Sequence, residues 1–424
     1  MKSLWSAPWL ALLLPAASAV AADVDFRAFL EDEPRYSFVS STSPYQPVLG
    51  LMDLSDGSNF AQMQVRLDGV FGPKWRASAT GALVDLYDGS HSSRFLTREL
   101  YVDCSATDAI NIFAGRRILR WGVGYALNPT GVVDPHRNPT DPDDRLNLNI
   151  GRDVIGLDLT RGSQSFNLVL SQPNLISDGR VSGEGAQAAM RYSFLVHGID
   201  AAVIGSWVSG HPDRAGCNAT FVVGQGLEIH AEWALQWGSD ALGLQPVPGP
   251  SGDGPRSLFA RLRTGSEHRF QSCVAGINWT HSNGWNFVAE YYRNGDGLTD
   301  DEWNRYVGFL DRNERMAGQD GAYGPPEMNL LLSAKEMTGG NLRRNYAFLR
   351  ISKDPLVRDF SVDMLFLGSL DGSSGGVGVV EIYRPIGRFL TASFRVTQCF
   401  GPPGSEYRVL PVSGSVSLGL RANF

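Results

Sequence analysis

The last fifteen residues of the chain, from Leu410 to Phe424, alternate between two kinds of side chain. Apolar or small residues hold the even positions, and from Ser413 onward serine, glycine, arginine and asparagine hold the odd ones. Side chains of a β-strand point to opposite faces with period two. The segment therefore predicts a strand with one apolar wall and one polar wall, and that strand ends on an aromatic residue.

The same alternation recurs along the chain, which predicts a sheet of many strands. It is clear over residues 61–68, 75–83, 155–160, 227–237, 258–263 and 390–397. A soluble β-sandwich alternates as well, so periodicity alone does not choose the class. The apolar faces persist over about nine to eleven residues, as a membrane-crossing strand requires, and tryptophans and tyrosines gather near the strand ends. We therefore expect an all-β fold, a transmembrane antiparallel up-and-down barrel of about 16–18 strands with long outer loops.

Residues 1–22 have the composition of a secretory signal peptide. Lys2 precedes an apolar stretch from Pro8 to Ala17, and small residues follow it. The stretch is too short to cross a bilayer core of about 30 Å. We expect cleavage of this leader, with residues 23–424 forming a single barrel domain. Cleavage removes one lysine, so the mature charge is 36 − 44 = −8, which gives no electrostatic reason to expect nucleic acid as a partner.

Residues 97–130 contain the most distinctive motifs of the chain. Arg98-Glu99 is followed by Tyr101-Val102, then Gly115-Arg116 by Trp121-Gly122, and then comes Asn128-Pro129-Thr130. This pattern resembles a porin-like class of Gram-negative outer-membrane β-barrels. The resemblance implies that the last strand, ending in Phe424, is read by the machinery that inserts barrels into the outer membrane.

Charged residues on the polar faces of the strands are the candidates for lining a pore. Arg98 and Glu99 face Arg116, Arg117 and Arg120 on the next segment, and they form either a ladder that sets strand register or one side of a constriction. Mixed charges in one lumen would select solutes by polarity and charge. The remaining candidates are Arg66, Asp68, Arg76, Glu228, His230, Glu232, Arg261, Arg263, Glu290, Arg350, Asp363, Arg395 and Arg421.

Three long segments, near residues 118–151, 238–256 and 294–341, interrupt the alternation. The first contains four prolines and four acidic residues, which makes it stiff and anionic. Folded inward, it would narrow the pore and repel anions; folded outward, it would only cap the surface. The sequence leaves both directions open. The acidic residues, which are constriction-loop candidates, are Asp134, Asp141, Asp143 and Asp144.

Two motifs could bind metal, but each has a simpler interpretation. Residues 294–302 resemble part of a calcium loop without its full pattern, whereas Thr299 and Glu302 have the spacing of a helix capping box. Glu228, His230 and Glu232 share one strand face about 7 Å apart, which is too far for neighbouring members to chelate one ion unaided. We expect a short loop helix and a lumen-lining cluster, and no metal or cofactor.

These features favour a channel over an enzyme. The sequence lacks the zinc-protease and phosphate-loop motifs. We expect an outer-membrane channel for passive diffusion of a small polar solute, in contact with outer-membrane lipid. One alternative is a barrel whose long outer loops bind a surface polysaccharide or a partner protein, and a weaker one is a barrel hydrolase. The sequence does not specify the solute or the oligomeric state.

Overall fold

The computed structural model describes residues 23–52, 56–135, 137–141, 144, 149–172, 185–247, 256–261, 264–317, 324–337 and 342–424. The expected leader, Asp143 and Arg263 lie outside this part of the chain, so the single-domain boundaries and the leader stay predictions.

The described chain consists mostly of β-strands. In chain order they are β1 (Asp23–Val39), β2 (Gly57–Phe71), β3 (Trp75–Asp88), β4 (Ser90–Thr107), β5 (Ile110–Arg117), β6 (Arg152–Arg161), β7 (Gln164–Ser171), β8 (Gln187–Val196), β9 (Ile199–Val208), β10 (Asp213–Val223), β11 (Leu227–Ser239), β12 (Leu242–Val247), β13 (Arg256–Arg261), β14 (Thr264–Thr280), β15 (Trp285–Arg293), β16 (Asn345–Val357), β17 (Phe360–Ser369), β18 (Gly376–Ile386), β19 (Leu390–Phe400) and β20 (Val412–Asn423).

Eighteen of these strands form one closed antiparallel sheet, which confirms the predicted barrel and lies at the upper end of the predicted strand number. Each strand pairs with its neighbours in the chain, except that β11 pairs with β14. The last strand, β20, pairs with β1, with Phe29 opposite Asn423. Closure matters because an open sheet edge inside a bilayer would leave backbone groups without hydrogen-bond partners.

The hairpin β12–β13 is separate from the barrel sheet and extends the β11–β14 hairpin past an irregularity at Ser239. The interpretation of residues 258–261 as part of a barrel strand is therefore wrong, and Arg261 belongs to this hairpin. Alternation could not reveal this, because a two-stranded extension has the same period as a barrel wall.

The two rims of the barrel differ in the length of their connections. One rim has short turns, such as residues 72–74 and 162–163, where Gly72 and Gly162 adopt positive φ angles of 66° and 60°. The opposite rim carries the connections after β1, β5, β15 and β19, which are all longer than ten residues.

The outside of the barrel is apolar and the inside polar, as the alternation predicts. On β2, Met63 is 47% exposed while its neighbour Gln62 is 4% exposed, and on β9, Trp207 is 50% exposed while Ser206 is buried. Exposed aromatic and aliphatic side chains continue around the wall, for example Leu83 and Leu420. So much exposed apolar surface is unfavourable in water and is the pattern of a lipid-facing barrel.

The long loops of one rim pack together into a cap with its own hydrophobic core. This outer cap consists of a 3-10 helix (Gln46–Leu51), helix α1 (Asp300–Met316), helix α2 (Pro325–Met337) and the segment 402–410. Its core includes Tyr45, Trp303, Tyr306, Phe309, Leu310, Leu330 and Val409. The Tyr45 and Tyr306 hydroxyls lie 2.8 Å apart inside it.

Helix α1 begins where the sequence predicts. Thr299 is its N-cap: the Glu302 backbone N–H donates to the Thr299 hydroxyl (3.2 Å), and the Thr299 backbone N–H donates to the Glu302 carboxylate (2.8 Å). These reciprocal bonds satisfy donors that a helix start otherwise leaves free. Within the described segments, none of the helices combines the length and apolar character needed to cross a bilayer.

Candidate channel constriction

The loop between β5 and β6 spans residues 118–151, and its described residues lie inside the barrel. Its described residues bond to side chains on β4, β8, β10, β11, β15 and β19. One of these contacts reaches the far part of the wall, where the Arg395 guanidinium on β19 donates to the Thr140 carbonyl (2.6 Å). The sequence left the direction of this loop open, and the structure shows that it is inward.

Two buried carboxylates on the wall accept hydrogen bonds from the main chain of this loop. Glu232 on β11 accepts from the backbone N–H groups of Val123, Gly124 (2.5 Å) and Thr130 (2.8 Å), and from the Thr130 hydroxyl (2.7 Å). Glu290 on β15 accepts from the backbone N–H groups of Tyr125 and Ala126, the latter at 2.9 Å. Both residues are buried, with 3% and 5% of their surface exposed.

Neighbouring wall side chains complete this attachment. His230 Nε2 lies 2.8 Å from Glu290 Oε1, and Glu228 lies 3.5 Å from the other ring nitrogen. The Asn218 side-chain amide on β10 donates to the Trp121 carbonyl (2.9 Å), and the Gln187 amide on β8 donates to the Val132 carbonyl (2.9 Å). Glu228, His230 and Glu232 therefore share one neighbourhood, in which Glu232 bonds to the loop directly and His230 bonds to Glu290. No group of three metal-ligating side chains occurs among the described residues.

Apolar contacts hold the same loop against two parts of the wall. Trp121, Val132 and Val133 join a buried cluster with wall residues of β5 to β9 such as Phe113 and Ile204. Ala126 joins a second cluster on β15 to β19, where the Tyr125 and Phe348 ring centroids lie 5.9 Å apart.

The acidic residues of the loop are engaged within the protein. Asp134 accepts from the Trp121 backbone N–H (2.7 Å) and the Asn128 amide (2.6 Å), and burial raises the pKa of its carboxyl above its usual value. Asp144 pairs with Arg98 on β4 (2.8 Å), and Asp141 is 7% exposed. Each of these three carboxylates is buried or paired, and the expectation that the loop repels anions stays a prediction.

A β-bulge explains how Arg98 and Glu99, adjacent in sequence, both point inward. The register of β3 and β4 shifts at Thr80/Gly81, so one extra residue is accommodated there. Arg98 donates to Gln64 (2.6 Å) and to the Asn149 carbonyl (2.8 Å), whereas Glu99 accepts from the Ile118 backbone N–H (3.0 Å). Strict alternation would put the two side chains on opposite faces.

The predicted charge ladder joined Arg98 and Glu99 to the arginines of the next segment, but Arg116 and Arg117 pair with other acidic residues. Arg116 forms a two-point, buried ion pair with Asp153 on β6 (2.7 and 3.1 Å). Arg117 pairs with Asp103 (3.3 Å) and lies over the Phe113 ring (4.4 Å to its centroid). The loop residue Arg120 is exposed. These contacts fit the register-setting interpretation for Arg116 and Arg117.

The wall formed by β19, β20, β1 and β2 carries a further set of polar groups. Gln62 donates to Glu31 (2.7 Å), which lies directly across from Arg421 on β20. Arg66 pairs with Asp68 on the same strand (2.6 Å). Elsewhere, Arg350 on β16 forms a two-point pair with Asp363 on β17 (2.9 Å), and Arg76 lies exposed beside the short-turn rim. The role of these groups in lining a pore stays a prediction.

Several residues of this constriction were not predicted from the sequence. They are Glu31, Gln62, Gln64, Asp103, Thr130, Arg137, Asp153, Gln187 and Asn218. Arg137, for example, donates to the Gly124 and Tyr125 carbonyls (2.6 and 2.7 Å) and so closes the loop on itself. Inward parity on a strand could have suggested Gln62, Gln64 and Asn218, but it does not say that a loop will meet them.

Comparisons with known proteins support the fold. No protein-family model and no curated protein matches the chain. Among solved structures, Pseudomonas aeruginosa OccK5 (OpdH) superposes with a TM-score of 0.54 and 9% identity, covering 96% of this chain and 99% of that one. Acinetobacter baumannii OccAB1 gives a TM-score of 0.58 and 8% identity over 96% and 97%. Pseudomonas aeruginosa OpdK, crystallised with vanillate, gives 0.55 and 7% over 96% and 99%. The chain therefore has the fold of these porin-like outer-membrane barrels, as its resemblance implied.

Proposed function

We propose that this protein is a porin-like channel through which small polar solutes diffuse passively across an outer membrane. The observation that carries the proposal is the loop 118–151, held across the inside of a closed barrel by wall side chains. A barrel of eighteen strands is wide enough for an aqueous lumen, and an inward loop would limit the size of what passes. The apolar outer wall supports a position in lipid, and the expected leader supports export.

The route that we propose runs beside β20, β1 and β2. The described loop residues contact β4 to β11 and β15 to β19, which leaves the polar wall of β20, β1 and β2 on the other side. Glu31, Gln62, Arg66 and Arg421 point into that side. Their mixed charges would replace part of the hydration of a polar solute without binding it tightly, as sustained flux requires. No catalytic step belongs to this mechanism.

Conductance across planar bilayers tests the function, and liposome swelling with neutral, anionic and cationic solutes of graded size tests the cutoff. The purified barrel should give stepwise currents and swelling that falls with solute size. The absence of both, with a folded barrel, would refute the proposal.

A pair of adjacent substitutions tests the route. Gln62→Trp should lower the single-channel conductance, because the indole would fill the polar side of the lumen. Met63→Trp is the matched control, since its side chain points to the lipid face and is already 47% exposed. Equal conductance in the two variants would contradict this route.

A second candidate function is recognition of a surface polysaccharide or partner protein by the outer cap. The ordered cap core favours it, and Met328 and Leu332 lie exposed one turn apart on α2. Deleting residues 296–338 distinguishes the two functions, because a channel should keep conducting whereas a cap-mediated receptor should lose its ligand.

A further inference from the structure

Two wall side chains hold the constriction loop, residues 118–151, by accepting hydrogen bonds from its main chain. Five backbone N–H groups, those of residues 123–126 and 130, donate to only two carboxylates, Glu232 and Glu290. The single loop side chain in this set is the Thr130 hydroxyl. The segment from 123 to 126 runs without regular secondary structure, so these N–H groups have no helix or strand ladder to supply their acceptors.

The hydrogen bonds to Glu232 occupy all the acceptor positions of its carboxylate. An ionised carboxylate offers about four lone-pair positions, and Glu232 accepts two donors on each oxygen. Glu290 accepts two backbone donors, and its Oε1 also lies 2.8 Å from His230 Nε2. An amide in place of either acid would turn one oxygen into an NH₂ donor that faces backbone donors.

We infer that Glu232 and Glu290 are positioning residues that set the width of the constriction by holding the main chain of the loop, an inference that rests on the channel function proposed above. The place of the constriction is then specified by β11 and β15 rather than by the side chains of the loop. Buried N–H groups that lose their acceptors are costly, so the loop would leave the wall when the carboxylates are removed.

Hydrogen exchange tests this inference independently of conduction. In Glu232→Gln and in Glu290→Gln, the backbone amides of residues 123–126 and 130 should exchange at least about tenfold faster than in the parent protein, since a charge-assisted bond is replaced by a repulsive contact. Amides of β11 and β15 should keep their protection. Glutamine preserves the side-chain volume, so a role in packing alone would leave exchange unchanged.

Single-channel recording tests the consequence for the pore. The double variant Glu232→Ala/Glu290→Ala should show larger or strongly fluctuating conductance and should admit larger solutes in liposome swelling. Asp158→Asn is the matched control: it removes one lumenal carboxylate on β6 that bonds to Asn167 (2.8 Å) and not to the loop, and it should leave conductance at the parental value.

The outcomes separate the two proposals. If the parent protein conducts and the glutamine variants keep both the parental exchange and the parental conductance, the positioning role is refuted. If the parent protein does not conduct, the channel proposal fails, and the exchange of residues 123–126 still decides whether the two acids hold the loop. Loss of heat-modifiable migration in gels would show that the alanine variant fails to fold. In that case the hydrogen exchange and conductance of the glutamine variants still test the positioning role.

Discussion

A buried carboxyl group connects the outer cap to the barrel and should make the cap sensitive to pH. Glu406, in the segment between β19 and β20, accepts hydrogen bonds from the Leu342 backbone N–H (2.6 Å) and the Tyr346 hydroxyl (2.7 Å). Burial raises its pKa from 4.5 to about 7, although the nearby Arg343 lowers it. Asp371 also faces this group and raises the pKa.

The direction of the effect follows from proton binding. A carboxyl group with a raised pKa binds more protons in the closed cap than in an opened, solvated cap. The cap is therefore most stable below about pH 4.5, loses stability between about pH 4.5 and 7, and is insensitive to this group above that range. A difference of about 2.5 pKa units corresponds to about 3 kcal/mol, or more than a hundredfold in the opening equilibrium.

Hydrogen exchange of the α1 amides, corrected for the intrinsic pH dependence of exchange, measures this opening. The free energy of opening should fall by about 3 kcal/mol from pH 4.5 to 7 in the parent protein. Glu406→Gln keeps the volume and cannot ionise, so its opening free energy should be nearly independent of pH. Asp311→Asn, an exposed change on α1, should retain the parental slope. A flat parental profile, or the same slope in Glu406→Gln, would refute the reasoning.

Three other predictions concern the barrel. Arg116→Ala should destabilise the barrel by about 3–5 kcal/mol in urea unfolding because it removes the two-point ion pair of the buried Asp153 carboxylate; the double change Arg116→Ala/Asp153→Ala should cost less than this single change, and additive losses would contradict the pairing. Arg395→Gln should shift the reversal potential in a salt gradient toward cations, because it removes a positive charge beside the loop; an unchanged potential would place this side chain away from the ion path. Removing Phe424 should lower the amount of protein in isolated outer membranes without altering its synthesis; normal amounts would show that the terminal aromatic is dispensable.

The sequence predicted much of the barrel because a strand in lipid must separate its two faces. Met63 and Gln62 show this directly, since one residue of displacement changes the side chain from lipid-facing to buried. The helix start at Thr299 was predictable for a similar reason, as both partners of its capping box lie within three residues. In each case the determining contacts are local or periodic.

The sequence did not predict the contacts that make the constriction. Glu232 and Val123 are separated by 109 residues, and nothing in either strand pattern pairs them. The acidic loop residues were expected to repel anions, but Asp134 bonds to the backbone of its own loop and Asp144 pairs with Arg98. Two further features were not predicted. The bulge in β4 interrupts the alternation, and the alternation does not show that Arg261 lies on a hairpin separate from the barrel.

By itself, the sequence determined the class of fold and the two faces of its wall, because a period of two recurs along the spanning strands and is imposed by lipid on one side and polar groups on the other. Tertiary structure alone decided the path of the loop 118–151 and the partners of its charges. That path depends on donors and acceptors brought together from distant strands only after the barrel closes, so no local pattern could encode it.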